Sequence, residues 1–192
     1  MSMLELRLDE FLEEIAGDRL TPGGGSLAAV VTAASAGLLA KVARASRDDW
    51  VDAGGAAAQA ESLRARAEPL AQMSAEQYET AVVALANVGA ESPERRDFAV
   101  GRAYARAAEP PLKIVETATD VAQLAVTVAK NGEPGLRADA ATAAALSAAA
   151  ARAASELVAI NLTASANDDR VARARKLAGL AARAAEEAFA GG

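Results

Sequence analysis

The residues best suited to chemistry open the stretch Thr21 to Ser46, TPGGGSLAAVVTAASAGLLAKVARAS. Pro22 fixes its own φ and biases Thr21 away from the helical region. Gly23, Gly24 and Gly25 carry no Cβ, so the backbone there can turn sharply or lie against another group. Ser26 is placed to cap the helix that follows, its oxygen accepting a backbone N–H one turn in. Such a helix start has unpaired N–H groups at the positive end of a dipole, which favours an anion or a carbonyl oxygen. The same residues would equally serve a tight turn against which a second helix packs closely. The stretch is not a phosphate-binding P-loop, because the G-x-x-x-x-G-K-[ST] spacing is absent and no strand precedes it.

Other polar residues each admit two roles. Lys41, Arg44 and Arg47 spread over the last turns of this helix, where they either complement its dipole or clamp an anionic ligand. Trp50, the only tryptophan, either packs over a helix end or stacks on a planar ligand. Asn161 lies between Ile160 and Leu162, and an amide in that apolar setting needs a partner, a backbone carbonyl or a ligand. The chain has no histidine and no cysteine. Disulfides, thiol nucleophiles and the usual Cys/His zinc sites are therefore excluded, as is the Glu-x-x-His di-iron pattern of helical bundles. Acid–base chemistry falls to Asp, Glu, Lys, Tyr or bound water.

These groups must be held by a chain of 192 residues, which suits one domain over 1–192. Hydrophobic residues make up 52% but aromatics only 3%. Alanine dominates, and it buries little area, so association into an oligomer is expected to add buried surface. The net charge of −6 argues against a nucleic-acid partner. The N-terminus MSMLELRLDEF has no secretory pattern. The apolar runs are too rich in small residues to read as lipid-facing spans. A cytoplasmic protein that does not engage the membrane is expected.

The periodicity predicts an all-α fold of about six helices, two of them kinked by proline, with no persistent strand alternation. Leu4 to Ala16 is amphipathic, with Leu4, Leu8, Phe11, Leu12 and Ile15 on a stripe expected to face the core and Gly17 as its stop. The helix after Ser26 is apolar all round and should be buried at the centre. Ala56 to Val88 reads as a long helix, kinked or split at Glu68 by Pro69 and ended by Gly89. Ser92-Pro93 starts a fourth, with serine as N-cap and proline at the first helical position. Pro110-Pro111 should break or bend it before it resumes from Leu112 to about Lys130, closed by Asn131-Gly132. Gly-Glu-Pro-Gly marks a turn, and Asp139 caps or enters the first turn of a second buried alanine-rich helix, Ala140 to Thr163. Asn167-Asp168 caps a last, basic helix ending near Ala190.

The order of these segments resembles the cyclodeaminase domain of formiminotransferase-cyclodeaminase, a family that includes methenyltetrahydrofolate cyclohydrolases. Phe11 to Val31, FLEEIAGDRLTPGGGSLAAVV, is similar to that family's opening helix and T-P-G-G-G-S signature. Glu109-Pro110-Pro111-Leu112 resembles an E-V-P-L element, Lys130 to Asp139 a G-N-x-N…S-D loop, and Ile160-Asn161-Leu162 an I-N-L element. The chain departs from the pattern at Ser74, where an acidic residue is expected. It departs again at Ser46 to Trp50, which replaces a basic segment, and at Glu133, Gly135 and Ala138.

The resemblance implies an all-α homodimer whose substrate is a tetrahydrofolate derivative, with no prosthetic group and no metal. Cyclodeamination expels ammonia from a formimino group and closes a ring; cyclohydrolysis adds water to a methenyl bridge. On that footing Asp139 is the acid–base candidate, and Gly23, Gly24, Gly25 and Ser26 supply backbone donors. Lys41, Arg44 or Lys113 would hold the glutamate carboxylates, and Asn161 would meet the ligand. Lys113 could instead cap carbonyls freed by the double proline. Ser74 leaves a second possibility open: a non-catalytic relative that binds a folate or another small anion at a dimer groove.

Overall fold

Small side chains decide how this chain packs. A computed structural model describes residues 3–86, 92–163 and 168–190. Among them the α-helices are α1 (Leu8–Ala16), α2 (Gly24–Ala45), α3 (Ala53–Ala86), α4 (Pro93–Ala107), α5 (Glu109–Asn131), α6 (Arg137–Asn161) and α7 (Asp169–Ala190). Short 3-10 turns cover Met3–Glu5 and Pro134–Leu136. Central α2 packs on α3, α5 and α6, and α6 packs in turn on α5 and α7. Ala29, Ala36, Ala40 and Ala43 of α2 are fully buried, as are Ala143, Ala144, Ala151 and Ala154 of α6. Alanines at such positions let helix backbones approach, while Leu39, Val42, Ile114, Val115, Val121 and Val158 fill the space between them.

The expected pair of buried alanine-rich helices is therefore present, and the two run antiparallel. Lys41 near the end of α2 pairs with Asp139 at the start of α6, whereas Gly25 at the start of α2 neighbours Leu157 near the end of α6. Both helices are long and apolar enough to cross a membrane, yet 61% of the apolar window of α2 is buried inside the protein. The six-helix expectation holds once the fourth helix is counted as two. Pro110 and Pro111 occupy the first turn of α5, where their missing N–H groups cost no helical bond, so the chain breaks at Ala108 rather than bending.

Two expectations need correction, and one alternative is decided. Of the kink or split expected at Pro69, the split is absent, since α3 runs unbroken past it. The proline and the preceding turn at Ala65 both face solvent, where water can satisfy the carbonyl that loses its donor. The apolar stripe of the first helix is not core. Leu4, Leu8 and Leu12 are 48%, 71% and 55% exposed and only Phe11 is buried, because the alanine helices complete both core clusters without any residue of α1. The stripe is also interrupted, with Met3–Glu5 as a separate turn. Ser26 is not the N-cap of α2. Gly23 is, which puts Ser26 in the first turn, where its hydroxyl donates instead to the Ala71 carbonyl of α3 at 2.8 Å.

Gly17 and Gly132 end α1 and α5 as expected. Gly132 is also a close-packing point, since a Cβ there would lie 2.6 Å from the Val128 carbonyl oxygen and 3.0 Å from Ser46 Oγ. That serine ties the following loop to the end of α2, accepting from the Glu133 N–H and donating to the Val42 carbonyl, both at 2.8 Å. Trp50 is half-buried and packs against the core cluster around Leu39 and Val128, which favours the anchoring role. Val88, Gly89 and Asn167 lie outside the described residues.

Asp168 caps α7. Its Oδ1 accepts the Arg170 backbone N–H at 3.0 Å, and the Arg170 guanidinium meets both carboxylate oxygens. The Arg170 side chain, then its backbone N–H, hold the Asp168 pKa down from 3.8 to about 2. A lowered folded-state pKa stabilises above the unfolded value and loses that stabilisation as pH falls through the folded one. Asp168→Ala should cost roughly 1 kcal/mol at neutral pH, within the range for a lost cap. Thermal melts between about pH 4 and pH 2 should show wild type losing stability more steeply than Asp168→Asn, which keeps the acceptor but cannot titrate.

Candidate functional site

A cavity of about 300 Å³ lies over the start of α2, lined by Gly23, Gly24, Gly25, Ser26, Thr21 and Leu20. Helix α3 contributes Ser74, Ala75 and Tyr78, and the remaining wall comes from Ala107, Pro111, Leu157, Ile160 and Asn161. Each wall has a sequence cause. Glycine as N-cap presents no side chain to the helix end, so among the described residues the N–H groups of Gly24, Gly25 and Ser26 have no side-chain cap. Leu27 is the first to find an acceptor, the Gly23 carbonyl, at 3.1 Å. Ser74 and Tyr78 are one turn apart on α3 and share a face. The chain break before the proline pair carries Ala107 and Pro111 to the cavity's edge.

The three glycines do different work. A Cβ on Gly25 would overlap the Ser74 hydroxyl, and would lie 3.1 Å from Ser74 Cβ and 3.5 Å from Leu157 Cδ1. Gly25 is thus a close-packing glycine between α2 and α3. A Cβ on Gly24 would meet nothing within 4 Å, so packing does not require glycine there. Close packing is thus realised at Gly25, while Gly24 leaves the helix start open.

The polar side chains around the cavity are mostly committed. Thr21, buried, donates its hydroxyl to Glu79 Oε1 of α3. Asn161, 8% exposed, donates through Nδ2 to the Ala107 carbonyl at 2.9 Å. Among the described residues Tyr78 is the one ionisable side chain on the cavity's lining.

The structure brings Gly23, Gly24, Gly25, Ser26 and Asn161 together, and leaves Lys41, Arg44, Lys113 and Asp139 off the lining. Lys41 is exposed and pairs with Asp139 at 3.7 Å; Arg44 pairs with Glu61. Asp139, in the first turn of α6, stands 22 residues before Asn161, about 33 Å along the helix at 1.5 Å per residue. Lys113 is exposed and points about 200° round α5 from Pro111. Among the described residues no side-chain hydrogen bond joins it to the carbonyls freed by the proline pair. Thr21, Leu20, Tyr78, Ala107, Pro111 and Leu157 were not singled out by the sequence as site residues. Tyr78, one turn from Ser74, carried the clearest signal. Among the described residues no group of three or more Asp and Glu is placed to hold a metal ion.

A family model described as formiminotransferase-cyclodeaminase matches residues 7–179. The structure of formiminotetrahydrofolate cyclodeaminase from Thermotoga maritima superposes with a TM-score of 0.82 at 23% identity, over 98% of this chain and 94% of that one. That likeness establishes the fold. No curated protein matches the sequence.

Proposed function

The chain belongs to the formiminotransferase-cyclodeaminase family, and on that footing we propose that it acts on a one-carbon unit carried by tetrahydrofolate, as a cyclodeaminase or a methenyltetrahydrofolate cyclohydrolase. One observation carries the reading: the first residues of α2, which has no side-chain cap, line a cavity of mixed apolar and neutral polar walls. Ligand sites of this kind combine apolar walls with a few placed polar groups. Gly23, Gly24, Gly25, Ser26 and Asn161 are the proposed ligand-binding residues.

Proton transfer beside a carbon bonded to two nitrogens needs an acid–base group, and Asp139 is the proposed one. Its distance from the cavity along α6 is consistent with that role if it acts on the cavity of a second copy. The support is an exposed apolar face shared by α2 and α6. On α2 it carries Leu27 and Ala34 and reaches Lys41; on α6 it runs from Asp139 through Leu146, Ala149 and Ala153 to Ile160. Leu27, Leu146 and Ile160 are 41%, 45% and 62% exposed, an unusual cost for a monomer. Pairing this face with its copy, about a two-fold axis running across the helices, reverses the direction along them. The Lys41–Asp139 end of one subunit then meets the cavity end of the other. Lys41, and Arg44 one turn on, would there be available to the acidic tail of the substrate.

Calorimetry with 5-formyl- and 5,10-methenyl-tetrahydrofolate tests the reading, and heat at sub-millimolar ligand is the expected result. The absence of heat at millimolar ligand would exclude it. A second reading, binding without turnover, draws on Ser74, which leaves the described cavity lining without a carboxylate. Loss of methenyl absorbance on adding protein supports the enzyme, and binding with stable absorbance supports the non-catalytic relative.

A further inference from the structure

The hydrogen bonds already made inside the protein fix part of the cavity's pattern of donors and acceptors. The Thr21 hydroxyl proton is given to Glu79, whose carboxylate can only accept. The Ser26 proton is given to the Ala71 carbonyl. The carbonyl of Ala107 requires the Nδ2 side of Asn161, which sets its orientation. No described residue donates to Asn161 Oδ1, although the side chain is more than nine-tenths buried and lines the cavity. Thr21 and Asn161 thus offer lone pairs to a ligand, while the start of α2 offers N–H donors. No charged side chain lines the cavity among the described residues; Leu20, Leu157, Ile160 and Pro111 supply apolar wall, and the Ser74 and Tyr78 hydroxyls can each give or take a hydrogen bond.

The group that complements this surface is neutral and flat, and carries N–H donors beside an acceptor. A carboxylate would gain from the helix dipole. The lining offers it no cation, only the neutral hydroxyls of Ser74 and Tyr78 beside the Thr21 and Asn161 lone pairs, and burying an unpaired charge is costly. The volume of about 300 Å³ is at the lower end for sites that enclose a drug-sized molecule, so one end of an extended ligand enters.

We propose that the cavity over the glycine turn takes the 2-amino-4-oxopyrimidine edge of the pteridine, and that the p-aminobenzoyl-glutamate end lies outside it. The amino and ring N–H groups meet Thr21 and Asn161, and the 4-oxo group meets the N–H groups of Gly24 and Gly25. The assignment rests on the folate reading and adds which end of the ligand is enclosed.

Competition calorimetry against 5-formyl-tetrahydrofolate on the full chain tests it, using 6-methyl-tetrahydropterin and p-aminobenzoyl-glutamate as the two half-ligands. The pterin should displace and p-aminobenzoyl-glutamate should not. Thr21→Val should weaken the pterin about three- to tenfold, the worth of one hydrogen bond, and Thr21→Ser should restore it, with thermal melts verifying that both fold. Displacement by p-aminobenzoyl-glutamate alone, or unchanged pterin affinity in a folded Thr21→Val, overturns the assignment while the folate reading stands. If 5-formyl-tetrahydrofolate does not bind wild type at all, the folate reading fails, and the assignment with it.

Discussion

Gly25→Ala should lose about 1–3 kcal/mol of stability, the usual cost of forcing a methyl group into a filled site, whereas Gly24→Ala should lose none. The two residues are neighbours in one motif, and nothing in their sequence separates them. The difference comes from α3. A methyl group on Gly25 takes the space of the Ser74 hydroxyl and presses on Leu157, and one on Gly24 meets no atom within 4 Å. Gly24→Ala also replaces glycine by a better helix former. Ser74→Ala removes the hydroxyl that the new methyl group overlaps, so in the double variant with Gly25→Ala most of the loss should return. Thermal melts of the four proteins form a double-mutant cycle, with an expected coupling of about 0.5–2 kcal/mol between residues in contact. Additive effects would mean that α2 and α3 are not in contact here.

The second large effect concerns Asp139. As the proposed acid–base group, Asp139→Asn should abolish most turnover. As a residue far from its own cavity, it should do so through the partner subunit. Gly24→Val, which obstructs the cavity, should also be inactive. Mixing the two inactive proteins under conditions of subunit exchange makes half of the dimers mixed, and each mixed dimer holds one site with an intact cavity and an intact Asp139. About a quarter of wild-type turnover should therefore return. A site built within one subunit would regain nothing. Ala149→Glu, a charge in the middle of the shared α2/α6 face, should separate the subunits in sedimentation and remove activity in the same step.

The sequence made the helices legible because their signals are local. Glycines at 17 and 132 and the proline pair at 110 and 111 mark the helix ends that the structure has, and alanine over α2 and α6 announced their burial. Pro69 left a kink and a split both open, because the effect of a proline depends on which side of the helix faces water, a tertiary fact. The stripe of α1 misled for a similar reason. An amphipathic pattern says that a face wants cover, not that this chain supplies it.

The site was half legible. The glycine turn and Asn161 carry recognisable sequence patterns. The bond from Thr21 to Glu79 joins residues 58 apart in sequence, and local spacing does not report it. Tyr78 shares its face of α3 with Ser74, one turn away. The family resemblance put Lys41, Arg44 and Asp139 in one site with the glycines, on or beside the same two helices. Those helices are antiparallel and long, so residues on the same pair of helices stand at opposite ends.

The central claim is that a ligand lies against the open helix start at Gly24. Titrating 5,10-methenyl-tetrahydrofolate into wild type and Gly24→Val, with a thermal melt of each, tests it most directly. The account predicts unchanged melting and at least tenfold weaker binding in the variant, roughly 1.4 kcal/mol. Equal affinity in two equally stable proteins would contradict it.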